Sequence, residues 1–491
     1  MTKLRKTIFL IIVMLILTFS SNVNIKNSGR TISLYEKQNF EQIIQPKNIE
    51  QANILSESFG DQRLFWIQLP EFIQIRATCL AVGDDCYIYM ANETIELLGE
   101  NNSVSKCEAL RDAFDHYIYP KAIEVAGHPS GVLGDIDGDP KVTVFLAPTV
   151  RYMGQAYLGF INLDNENPSF PYANLREMVY VDSEHNVNDT ICITIHEFNH
   201  LIWYNNDWND CQFINEGLAN YAVDYAGYDF WVTTAVVTSF TYHPEISLLH
   251  FVREYGELWD SSYGQAYLFV TYLANRFGNE FTKKLVFIEE DGAIGVDAAL
   301  EHFGYNLTFN DLYLDWITAC VLDNTKIYDG IYGFETVDYR IQAASSMVRE
   351  FIMERRHYYY GFDVKKIYTS NDNFTFVIDN PQPYALGISI AFEDDNGWTV
   401  IQEINEKKSD DIRIYVEGEN IRDVYIITSL LSKNTPTVFG TVMSLNELIS
   451  VDLNYTFYDG NHVTDGVGIS YSYFIIIPVV ICLIIFKKKR S

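Results

Sequence analysis

Between Thr194 and Tyr221 the chain reads TIHEFNHLIWYNNDWNDCQFINEGLANY, a His-Glu-x-x-His pattern followed after fifteen intervening residues by Glu216. Two histidines at i and i+4 stand one turn apart on the same helix face, so His196 and His200 can offer imidazole nitrogens to one tetrahedral ion. Glu197 then lies beside that ion, where a carboxylate can take a proton from a water the metal has acidified. Glu216 completes a three-residue protein ligand set for one Zn2+. Cys192, one turn before His196, shares its face, but with Glu216 available it reads as core packing.

The elements around the motif follow from its neighbours. Ahead of it runs DTICITI (189–195), a cap at Asp189 and an apolar stripe that buries the helix while leaving the histidine face open. A polar turn rich in Asn, Asp and Trp follows, and a second helix is expected over Phe213 to Tyr225. Upstream, β-type runs fill Gln62 to Met90, a helix is expected around Ser105 to Ala126, and further β-runs occupy Gly154 to Leu163 and Glu177 to Val181. Downstream come helices over Ala266 to Phe277, stopped by Gly278, over Glu280 to Glu289, and over Leu312 to Asp323.

The segment Asn215-Glu-Gly-Leu-Ala resembles the Asn-Glu-Gly-Phe-Ala element of the gluzincin metallopeptidases, the clan of thermolysin and the aminopeptidase N family. Together with Cys79-Leu-Ala-Val-Gly-x-x-Cys86-Tyr-Ile-Tyr, Asp135-Ile-Asp-Gly-Asp-x-Lys-Val and Arg176-Glu-Met-Val-Tyr-Val-Asp182, the zinc segment looks like the hyicolysin-type family within that clan. The resemblance implies a zincin-type α+β domain of mixed sheet and active-site helices, with His196, His200 and Glu216 as zinc ligands and Glu197 as catalytic acid/base. It also implies a cleft strand that pairs with an extended peptide substrate, for which either run before the metal helix qualifies. Ser262-Tyr263-Gly-Gln-Ala resembles the helix start whose tyrosine stabilises the oxyanion in aminopeptidase-type relatives, although the lysine of that pattern is absent. The acid that orients a zinc histidine four residues after the ligand Glu in thermolysin-like sites is replaced by Asn220, with Asp224 as an alternative. No Gly-Ala-Met-Glu-Asn sequence occurs, which speaks against N-terminal exopeptidase activity.

Asp135, Asp137 and Asp139 have the spacing of the first three oxygen ligands of a calcium loop. The position that needs a glutamate falls at Leu146, so Ca2+ there competes with a plain acidic turn before a strand. Cys79 and Cys86 flank a Gly-Asp-Asp turn, where a hairpin disulfide and two small core residues are both compatible readings. Apart from Cys482, the cysteines are even in number.

At 491 residues and 48% hydrophobic, the chain can bury more than one core. Its net charge of -30 argues against nucleic acid or an anionic membrane as principal partner. The organisation expected is a signal peptide over 1–25, a linker or propeptide-like segment over 26–61, the metallopeptidase domain over 62–328, a β-sandwich over 329–466, a transmembrane helix over 467–486 and a basic tail over 487–491. That order displays the chain outside the cell on a C-terminal anchor, where the sequons at Asn92, Asn101, Asn188, Asn306, Asn373 and Asn454 are glycan acceptors if the host has the machinery. The activity expected is endopeptidase action on a protein or peptide substrate. The competing function is an inactive zincin-like surface binding or adhesion protein.

Overall fold

The computed structural model describes residues 57–460, apart from 70, 131–134, 150–157, 208–209, 255, 342–343, 347–349, 370, 380, 382, 406–410 and 438–441, together with 469–470. The expected signal peptide, most of the linker segment, and 471–491 of the anchor and tail lie outside these residues. Among the described residues no helix is long and apolar enough to cross a membrane.

The chain folds as a mixed α+β structure. Its first sheet has six strands in the order β1 (Gln62–Leu69), β2 (Glu71–Val82), β3 (Cys86–Ala91), β4 (Val142–Ala147), β6 (Met178–Asp182) and β5 (Gly159–Phe160). β3, β4 and β6 run parallel, and β5 returns antiparallel at the edge. The period-two pattern of β3 and β4 explains the burial: Tyr87, Tyr89 and Phe145 face one apolar cluster, whereas Cys86, Ile88, Met90, Val142, Val144 and Leu146 face the helices.

That alternation decides the question of Cys79 and Cys86. Cys79 belongs to the first cluster and Cys86 to the second, on opposite faces of the sheet, and all six described cysteines are free thiols. A register shift between Cys79 and Ala81 accompanies the separation.

Helices α1 (Asn92–Leu98), α2 (Glu100–Ala113) and α3 (Tyr119–Val125) cross from β3 to β4, with a π-turn at Phe114–Ile118. The helix that carries the His-Glu-x-x-His pattern, α4, spans Val187–Asn206. Its cap is Asn186, whose side chain accepts from the Asp189 backbone N–H at 3.0 Å, rather than Asp189 itself. Cys192 is buried in the helical core, as packing requires. Then follow α5 (Gln212–Tyr225), α6 (Trp231–Tyr242), the short strand β7 (Phe251–Val252), α7 (Glu257–Phe277), α8 (Asn279–Val286), α9 (Gly292–His302) and α10 (Phe309–Leu322).

Beyond Asp323 a 3-10 turn at Tyr328–Gly330 leads into a run of strands. One five-stranded sheet orders β13 (Gly397–Asn405), β12 (Ala385–Asp394), β15 (Arg422–Leu431), β10 (Phe362–Ile367) and β8 (Ala344–Ser346). The other orders β18 (Ile469–Ser470), β14 (Ile412–Glu417), β11 (Asn373–Ile378), β17 (Ser450–Asp459) and β9 (Glu350–Tyr358). Residues of both sheets, among them Phe376, Ile390, Ile414, Val424 and Phe457, share one apolar core. Ile469 and Ser470, expected at the start of the anchor, pair with β14.

This β-region does not stand apart from the helical half. Leu430, Leu431 and Phe362 belong to the same continuous core as Trp316 of α10, and the Thr318 hydroxyl donates to Ser389 at 2.8 Å. The strand β16 (Val442–Met443) pairs with β7 just ahead of α7.

Candidate metal centre

α4 and α5 carry the cluster, and their placement depends on the residues around it. Gly217, next to Glu216, lets α7 approach: a Cβ there would stand 2.6 Å from Val270 Cγ2 and collide with the Ala266 carbonyl. Gly264 does the same for α6, since a Cβ would stand 2.9 Å from Phe240 Cβ. Gly217 therefore brings α7, and Tyr263 on it, against the helix that carries Glu216, and Gly264 packs the other side of α7 on α6.

His196, His200 and Glu216 converge. Their facing Nε2 atoms are 3.0 Å apart, and each lies 3.4 Å from Oε2 of Glu216. A tetrahedral zinc ion with bonds of about 2.0–2.1 Å sets its ligand atoms about 3.3 Å apart, so this cradle has the dimensions of a zinc site. The donor chemistry agrees, because Oε2 of Glu216 is buried without accepting a hydrogen bond. Burial opposes charge on His200, yet the adjoining Glu216 carboxylate lifts its pKa to about 9. The imidazoles in turn hold Glu216 well below the usual carboxylate range against the effect of burial. The three donor atoms thus face one point that a cation can occupy.

His200 is oriented by the residue before the third ligand. Its Nδ1–H donates to Oδ1 of Asn215, which leaves Nε2 with its lone pair toward the cluster. Of the two residues expected to orient a histidine, Asn220 is buried on α5 and Asp224 bonds Tyr267, while Nδ1 of His196 is buried without a hydrogen-bond partner. The sequence signal for Asn215 was its adjacency to Glu216, which the i+4 rule overlooked.

Glu197 is buried beside the histidines, and desolvation raises its pKa while the two imidazoles partly offset the effect. Its Cγ lies against β5, where a Cβ on Gly159 would come within 2.7 Å of it and within 2.9 Å of the Tyr180 carbonyl. Of the two runs expected to serve as a cleft strand, β6 is paired on both sides and β5 is the edge among the described residues. Ile161 and Leu163, just past β5, line a cavity of about 270 Å³ together with His200, Tyr204, Asp210, Gln212, Asn215 and Glu216.

Tyr263 reaches the cluster, with its hydroxyl donating to Oε1 of Glu216 at 3.3 Å. Phe251 packs edge-on against its ring at 5.0 Å. His243, at the end of α6, is engaged by Glu245 at 3.2 Å and Glu257 at 3.4 Å. His250 is buried one residue ahead of Phe251.

A second cluster forms at the acidic loop, with a change of membership. Asp135 and Asp137 are joined by Glu177, whereas Asp139 turns away to accept from the Tyr87 hydroxyl at 2.8 Å. The three-aspartate set expected from the spacing is corrected accordingly.

No family model matches the chain, and no curated protein matches it. Among solved structures, a family GH115 4-O-methyl-alpha-glucuronidase with specificity for decorated arabinogalactans aligns over 64% of this chain at 9% identity, with a TM-score of 0.15. The alignment spans 49% of that protein, and a likeness at this level carries no argument.

Proposed function

We propose that the chain is a zinc-dependent endopeptidase of gluzincin type, most like the hyicolysin-type family, with a zincin-type catalytic region followed by a β-sandwich. The observation that carries this reading is the convergence of His196 Nε2, His200 Nε2 and Glu216 Oε2, with Glu197 on the same helix. When bound, zinc supplies Lewis-acid polarisation of the scissile carbonyl and an acidified water. Glu197, kept basic by its burial, takes the proton of the attacking water and passes it to the leaving amine. Tyr263 donates its hydroxyl hydrogen bond to the oxygen on which negative charge develops. Asn215 fixes the tautomer of His200 throughout. The open edge of β5 offers N–H and C=O groups to an extended peptide, which favours unfolded segments as substrate and a main-chain mode of recognition.

The apolar runs at 7–19 and 471–486, the latter closed by Lys487 to Arg490, support a location outside the cell on a C-terminal anchor. Release of nearly the whole chain by a protease added to intact cells is the expected outcome. Accessibility of the 487–491 tail from outside would refute it.

Cleavage of an unstructured protein by the zinc-loaded chain tests the activity. Loss of cleavage in Glu197→Gln with zinc retained supports it. A wild-type chain that holds one zinc and cleaves nothing would instead be a surface binding protein.

A further inference from the structure

The second acidic cluster has a feature that solvated acidic turns lack. Glu177 is 4% exposed, and neither of its carboxylate oxygens has a hydrogen-bond partner. A buried carboxylate left alone is expensive, so such groups are paired, protonated or coordinated. Its nearest company is more negative charge: oxygens of Asp135, Asp137 and Glu177 all lie within 4.8 Å of one another. Glu166, with its own Oε2 buried and unpartnered, adds to that field. Among the described residues, Arg176 stands 3.7 Å from Asp137 but is committed to Glu57 at 2.8 Å.

We propose that Asp135, Asp137 and Glu177 form a binding site for a hard divalent cation, Ca2+ being the one whose size and all-oxygen preference they fit. Ca–O bonds of about 2.4 Å allow opposed ligand oxygens up to about 4.8 Å apart, and an all-carboxylate set excludes the nitrogen preference of zinc. The loop is shaped for the task, because Asp135 accepts from the Gly138 N–H at 2.6 Å and Asp137 from the Asp139 N–H at 2.9 Å, which curls the chain around the shared point. Burial of the unpartnered Glu177 carboxylate beside Asp135 and Asp137 is the cost of gathering these groups in one place. A bound cation removes that cost. It fastens the loop ahead of β4 to the start of β6, and through Glu166, which accepts from Asn205 of α4 at 3.0 Å, it abuts the end of the metal helix.

The test uses the full chain, stripped by chelator and returned to one equivalent of zinc. CaCl2 is then added up to about 1 mM free Ca2+, the range of extracellular calcium modules, and bound calcium and Tm are recorded. One Ca2+ per chain and a rise in Tm are expected, with zinc content unchanged. Glu177→Gln is expected to weaken calcium binding about tenfold or more and, in calcium-free buffer, to melt above the wild type, since it removes an uncompensated charge. Asp137→Asn provides the same calcium readout should Glu177→Gln not fold. Absence of bound calcium in the wild type overturns the proposal. So does an Asp139→Asn variant that loses as much affinity as Glu177→Gln, because the ligands would then be those of the linear loop.

Discussion

The hydroxyl of Tyr263 lies 3.3 Å from Oε1 of Glu216, while both histidines face Oε2 of the same carboxylate. The phenol thus stands beside the metal cradle without entering it. A hydrogen bond formed to an oxyanion is made in the transition state more than in the ground state, so Tyr263→Phe should lower kcat by about 10²-fold while KM barely moves. Zinc content should stay at one per chain. If zinc occupancy falls together with kcat, the hydroxyl serves to hold Glu216 and the oxyanion role is wrong.

Zinc retention should separate the ligands from their support. His196→Ala, His200→Ala and Glu216→Ala each should lower occupancy severely, because three protein ligands leave no redundancy. Asn215→Ala should cost about 10–100-fold in zinc affinity through the freed His200 ring, measured by competition with a chromogenic chelator. Asn220→Ala should leave that affinity unchanged, and an equal loss from both variants would return Asn220 to the role that sequence spacing suggested.

What could be read from the sequence was what is local in it. His196 and His200 are neighbours by helix geometry alone, and Gly278 ends α7 where its left-handed φ of 83° is needed. The partnership of Glu177 with Asp135 is set by the parallel register of β4 and β6, which pairs Thr143 with Met178, and no spacing rule reaches across that crossover. The faces of Cys79 and Cys86 depended on a register shift, which is likewise invisible to alternation counting. α6 escaped notice because VTTAVV (232–237) is rich in β-branched residues, and its helix is imposed by packing on Gly264.

Gly159 offers a probe of the edge strand. Its α-hydrogen faces Glu197, Ile193 and the Tyr180 carbonyl, so Gly159→Ala forces β5 away from α4. Overpacking of this kind costs about 1–3 kcal/mol. The displaced strand should lower kcat/KM for an extended peptide while zinc occupancy is retained. Unchanged kcat/KM with a lower Tm would remove β5 from substrate binding.

Asp210, at the wall of the cavity, should make stability depend on pH. Withdrawal from water pushes its pKa from 3.8 up to about 8, although Oδ1 accepts from the Gly292 N–H at 2.8 Å and from the Cys211 N–H. Between those two values the folded chain holds a proton that the unfolded chain has released, so stability contributed by this group falls as pH rises from 3.8 to about 8 and is level beyond. Asn at this position keeps an oxygen for both N–H donors and cannot ionise. The Tm of Asp210→Asn should therefore exceed that of the wild type by a margin that widens up to about pH 8. Parallel Tm profiles for the two proteins across that window would show that the Asp210 carboxylate is solvated where it stands.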